Sequence, residues 1–151
     1  MKKLLLFFFL LASSPTYAQN QFADYVGYLQ DSTLDSFIKE WLGVPYKYGG
    51  RTKRGIDCSQ FTKRLYKDVY NKDLPDVCWK QWKATKRVSK DSLEKGDLVF
   101  FKSRRSPSGW HVGVYLGNGQ FIQSPGKGDR VKISSLKEEH YKKNYKGAGR
   151  L

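Results

Sequence analysis

Two runs of alternating residues, separated by Gly117-Asn118-Gly119, restrict the fold of this chain more than any other feature. Trp110-His111-Val112-Gly113-Val114-Tyr115-Leu116 sends Val112, Val114 and Leu116 to one side of a strand and His111, Gly113 and Tyr115 to the other. Gly-Asn-Gly supplies the residue types a tight hairpin needs, so Gln120-Phe121-Ile122-Gln123-Ser124 is predicted to return antiparallel beside the first run. The turn at Leu93-Glu94-Lys95-Gly96-Asp97 feeds a further strand over 98–102, and 130–134 reads as another. Upstream the period changes. Leu34, Phe37, Ile38, Trp41 and Leu42 follow Asp31-Ser32-Thr33 at helical spacing, and Gly43 ends that helix. Residues 44–50 read as an extended segment entering a glycine turn, and 51–54 as a basic loop. Phe61, Leu65 and Val69 form a second helical stripe that stops at Asn71 and Pro75. Residues 76–82 read as a short helix or loop, 135–146 as a polar tail with helical potential, and Arg150-Leu151 as the closure of a sheet edge. Helices first and a meander of strands last predict an α+β domain.

The first 30 residues fall outside that pattern. Met1-Lys2-Lys3, an apolar run from Leu4 to Ala12, and Thr16-Tyr17-Ala18 together have the form of a secretory leader ending at Ala18. The apolar run is too short for a membrane span, which takes roughly 20 residues. Neither cysteine lies at the cut, so no lipid-modified N-terminal cysteine is expected. The domain plan is a leader at 1–18, a lead-in at 19–30 and one domain at 31–151, predicted to be exported (periplasmic or extracellular) and monomeric. The formal charge of +14 suits polyanionic partners. For an exported protein these are anionic envelope polymers and acidic muropeptides rather than nucleic acid. The alternative is a basic surface with no dedicated partner.

Cys58 stands in Gly55-Ile56-Asp57-Cys58-Ser59-Gln60-Phe61, which places it in the first turn of the second helix with Asp57 as its cap. Unpaired amides and the positive end of the helix dipole favour a thiolate there. The residues alone also allow a small buried side chain, or half of a disulfide with Cys78. A thiol nucleophile needs a base, and the chain has two histidines. His140 lies in the charged run Glu138-Glu139-His140-Tyr141-Lys142, typical of an exposed face, so His111 is the better base; a structural histidine is the alternative. The hairpin sets Gln123 on the adjacent strand, where its amide oxygen can hold the imidazole, as asparagine does in papain-like sites. Its alternative is an ordinary edge amide. Two histidines and two separated cysteines do not make a metal ligand set, and no cofactor is expected.

Pro45-Tyr46-Lys47-Tyr48-Gly49-Gly50, Gly55-Ile56-Asp57-Cys58-Ser59, Leu93 to Phe101, and His111 to Gly117 stand in the order and spacing of the NlpC/P60 family of cell-wall cysteine peptidases, which the chain resembles from about Leu34 onward. It is most similar to the small, exported murein endopeptidases of the Spr type. The resemblance implies a papain-like fold, with N-terminal helices packed on a C-terminal antiparallel β-sheet. It also implies roles: Cys58 as nucleophile, His111 as general base, Gln123 as the third polar residue, and Tyr46 as an aid to the oxyanion. Asp57 and Ser59 become candidate substrate contacts. The chain departs from the family pattern at Gln60, usually glycine, and at Asp76-Val77-Cys78, where an arginine and small hydroxyl residues usually line the groove. Asp76, Cys78, Trp79 and Trp82 are accordingly candidate groove residues, whereas Trp41 is expected in the core. The expected reaction is hydrolysis of amide bonds in peptidoglycan stem peptides or cross-links. The D-alanyl–diaminopimelate bond is favoured over the bond from γ-D-glutamate to the diamino acid. Competing readings are a wall-binding module without turnover, and an amidase or acyltransferase using the same Cys–His chemistry.

Overall fold

A computed structural model of the chain describes residues 32–151. The leader and lead-in expected at 1–30 lie outside the described residues. The elements run α1 (Ser32–Trp41), β1 (Arg51–Thr52), β2 (Gly55–Ile56), α2 (Cys58–Tyr70), α3 (Cys78–Ala84) and β3 (Lys86–Val88). They continue with β4 (Leu98–Lys102), β5 (Trp110–Gly117), β6 (Gln120–Gln123), β7 (Lys132–Ser135), α4 (Glu139–Asn144) and β8 (Tyr145–Arg150). One antiparallel sheet, in the order β3-β8-β4-β5-β6-β7, carries the C-terminal half.

The run Leu98-Val99-Phe100-Phe101 is apolar throughout because both faces of β4 are covered. Leu98 and Phe100 share a core with Phe37, Ile38 and Trp41 of α1, Phe61 and Leu65 of α2, and Val112 and Val114 of β5. Val99 and Phe101 face the other way, into a smaller cluster with Phe121, Leu136, Tyr141 and Ala148. The helices therefore lie on one face of the sheet and α4 lies on the other. The stripe predicted for α2 is the buried one, since Phe61 and Leu65 are fully enclosed. Trp41 is in the core as expected.

The fold differs from the sequence reading at three places. Residues 51–54 do not form a simple loop: β1 and β2 pair as a small hairpin, and Tyr46 is bridged to Ile56 alongside it. β3 was not anticipated. The chain's last strand does not close an edge, because β8 is inserted between β3 and β4. Arg150 anchors it, its Nε and Nη2 donating to Asp97 Oδ1 and Oδ2 at 2.7 and 2.8 Å. Asp97 Oδ2 also accepts from the Glu94 amide at 2.8 Å, so one buried carboxylate ties the turn before β4 to the end of β8.

Helix α3 is held against α2 by Gln81, which is fully buried. Its Nε2 donates to the carbonyls of Ser59 and Pro75, both at 2.9 Å, and its Oε1 accepts from Thr62 Oγ1 at 2.8 Å. Replacing Gln81 with leucine keeps the volume and strands these partners. A loss of about 2–3 kcal/mol is expected in urea unfolding, the range for buried polar groups left unpaired. An unchanged midpoint would show that the network is not what seats α3.

Candidate active site

The start of α2 is built by Asp57. Its Oδ1 accepts from the Gln60 amide at 2.9 Å, capping the helix, and from Ser59 Oγ at 3.1 Å. Its Oδ2 accepts from the Gly49 amide at 2.9 Å, which fastens the loop after Tyr46 to the same helix end. Burial raises the Asp57 carboxyl above its ordinary range, and the Gln60 amide bond works against that rise. Asp57 and Ser59, read as substrate contacts, line the cavity but already bond to each other.

Cys58, the first residue of α2, is 8% exposed. Its thiol is held well below the ordinary range, chiefly by a hydrogen bond from Cys78, then by a hydrogen bond and charge from His111 and by the Val112 amide. These donors outweigh the burial that opposes ionisation. Cys78 moves the opposite way: its own thiol is pushed up because it donates to Cys58 and is itself buried. Both cysteines are free.

His111 is buried on β5, opposite Phe101 of β4. Its Nε2 lies 2.6 Å from Gln123 Oε1. The Gln123 amide nitrogen donates to Ser134 Oγ at 2.8 Å and to the Tyr141 hydroxyl, so the amide oxygen faces the imidazole. That arrangement puts the ring proton on Nε2 and leaves Nδ1 as the basic nitrogen. Gly113, on the same side of β5 as His111, makes room for a neighbouring ring. A Cβ there would lie 2.7 Å from Phe121 Cδ2, so the space belongs to the Phe121 ring.

Tyr46, Asp57, Cys58, Ser59, Gln60, Asp76 and Cys78 line one cavity of about 230 Å³. The Tyr46 hydroxyl is pushed up to about 12 by burial and by the neighbouring Cys58, so it keeps its proton and remains a donor. Gln60 Nε2 reaches across to the Asp76 carbonyl at 3.0 Å, and Lys63 Nζ meets Asp76 Oδ1 at 2.6 Å. The Lys63 ammonium lowers the Asp76 carboxyl and neutralises the negative charge that this position adds to the groove.

Of the four groove candidates, Asp76 and Cys78 line this cavity, and Trp79 and Trp82 do not. Trp82 packs against Phe100 and Trp110, with ring centroids at 5.2 and 5.6 Å, and Arg87 covers its face. Trp79 points outward under Lys80 and Lys83. His111 and Gln123 line a second cavity, and His140 lines that one rather than the cavity of Cys58. Sequence reasoning missed the Val112 amide, which leaves no side-chain signature. It also missed Ser134 and Tyr141, which orient Gln123. Tyr141 was legible only as the one apolar residue within a charged run, turned inward against Phe101 and Phe121.

A cysteine at a helix start, facing a histidine on the central antiparallel sheet, defines the papain-like α+β class. Residues 43–150 match the NlpC/P60 family. A probable NlpC-type endopeptidase of Haemophilus influenzae is 40% identical over 80% of this chain and 63% of its own length. The murein DD-endopeptidase/LD-carboxypeptidase MepS of Escherichia coli K12 is 42% identical over 74% of this chain and 58% of its own length. The crystal structure of an NlpC/P60 family protein from Bacillus cereus superposes with a TM-score of 0.71 at 34% identity, covering 82% of this chain and 40% of that one. The chain belongs to the NlpC/P60 family, and it spans about three fifths of the length of the first two curated relatives.

Proposed function

We propose that the chain is an exported cysteine endopeptidase of peptidoglycan, with residues 1–18 as its leader and 31–151 as the peptidase domain. The reading is carried by His111 Nε2 held 2.6 Å from Gln123 Oε1 and by the influence of that imidazole, which lowers the Cys58 thiol at the N-terminus of α2. The Cys58 thiolate attacks an amide carbonyl, and the tetrahedral oxygen is met by the first amide of α2 and by the Tyr46 hydroxyl. Each such donor is worth about 3 kcal/mol in comparable sites. His111 protonates the departing amine and then activates water to release the thioester. Gln123 keeps the ring in the productive tautomer throughout.

Peptidoglycan as substrate is supported by the relatives' named activities. The name of the Escherichia coli relative favours the D-alanyl–diaminopimelate cross-link over the γ-D-glutamyl bond. The test is mass spectrometry of muropeptides released from purified sacculi by the protein lacking its leader. Conversion of cross-linked dimers to monomers, with a new free amine on diaminopimelate, is the expected result. Binding to sacculi without new amines would leave a wall-binding module, and acyl transfer without hydrolysis a transferase.

A further inference from the structure

We infer that Cys58 and Cys78 form an oxidative modification site, a dithiol that a hydroperoxide converts to a disulfide and a small dithiol restores. This rests on the proposed function only for its consequence, since the disulfide would occupy the sulfur that attacks substrate. The inference stands on geometry. The two side chains open the first turns of α2 and α3, line the same cavity and are both buried, and each thiol is the largest influence on the acidity of the other. No other cysteine exists in the chain to compete for either partner.

The remaining ingredients of a peroxide-sensing pair are also present. The thiolate is the form that attacks a peroxide, and the environment of Cys58 favours it. Cys78 keeps its proton and lines the same cavity as the resolving thiol. In the first step the Cys58 thiolate displaces hydroxide from hydrogen peroxide, forming an S–O bond as the O–O bond breaks, and becomes a sulfenic acid. In the second, Cys78 sulfur attacks Cys58 sulfur; the S–O bond breaks and water leaves, carrying the Cys78 proton. One thiolate, one thiol and one peroxide thus give one disulfide, one water and one hydroxide. Closing the pair brings two sulfurs that line one cavity to about 2.05 Å. The hold of Gln60 and Gln81 on the segment before α3 keeps Cys78 in range.

The test treats the leaderless protein with one equivalent of hydrogen peroxide and follows thiol titre, intact mass and tryptic peptides. The expected result is loss of both thiols, a mass lower by two hydrogens, and a peptide linking the Cys58 and Cys78 segments, all reversed by dithiothreitol. Hydrolysis of sacculi should fall and recover in step. Given a second and third equivalent of hydrogen peroxide, Cys78→Ser and Cys78→Ala should instead go on to unlinked sulfinic and sulfonic forms of Cys58 that dithiothreitol does not rescue. Two free thiols after treatment, or Cys58 oxidised beyond sulfenic acid with no link in the parent, would overturn the inference. The thiol and mass readouts answer whether or not the protein cleaves murein, so failure of this site and failure of the peptidase reading are told apart.

Discussion

Cys58→Ala is expected to lose essentially all turnover of cross-linked muropeptides, on the order of 10⁴-fold or more, while its fold survives. Alanine differs from cysteine by one sulfur, and the helix start around it is made by Asp57, which the substitution leaves alone. The variant should bind sacculi as the parent does. Its stability profile carries a second signature. The native state favours the thiolate more than the unfolded chain does, so across the interval between the two pKa values the unfolded state binds more protons. Cys58 therefore adds stability as pH rises toward the ordinary thiol range, and this contribution is lost as pH falls through the depressed native value. Removing the sulfur should flatten that slope in urea unfolding measured across pH. Residual turnover near the parent's level would remove Cys58 as the nucleophile.

His111→Ala is expected to cost a comparable amount in rate, about 10³–10⁴-fold, for a different reason. It takes away the proposed proton carrier and also the influence that helps hold Cys58 as thiolate. The pH midpoint for alkylation of Cys58 by iodoacetamide should then move upward, which a purely structural histidine would not cause. The variant also leaves Gln123 Oε1 fully buried without its partner, a penalty of about 1–3 kcal/mol in stability. Gln123→Ala keeps the imidazole and loosens it, so a smaller rate loss, roughly 10–100-fold, should accompany a smaller shift in the alkylation midpoint. Identical alkylation profiles in all three proteins would separate His111 from the thiol.

These residues were legible because their chemistry and their period agree. Cys58 follows a capping aspartate and opens an apolar stripe, and His111 lies on a strand whose hairpin brings Gln123 alongside. The sites of failure share a physical cause. Tyr145-Lys146-Gly147-Ala148-Gly149-Arg150 has the small residues of a loose tail, yet forms an inner strand of the sheet. The glycines mark close approach: a Cβ on Gly149 would fall 2.6 Å from Thr85 Cβ, and one on Gly147 would press on the Trp82 ring. Local propensity left 147–149 without an assignment where tertiary contact required thinness. The same contacts explain Trp82, an aromatic that looked available for substrate but serves as the surface on which β8 lies. The placement of Cys78 in the cavity of Cys58 was visible only as a spacing, because α3 is seated on α2 through the Gln81 amide and the carbonyls of Ser59 and Pro75.

The place of β8 in the sheet also orders events during synthesis. Until residues 145–150 have emerged, β4 has no neighbour on one side, and the run Leu98 to Phe101 presents open backbone groups on an apolar strand. Among the described residues β3 pairs with β8 and no other strand, so until then it too is unpaired. A nascent chain must therefore carry its helices and the β4–β7 meander as an unfinished sheet, vulnerable to pairing with a neighbouring chain, and complete the sheet only once β8 has emerged.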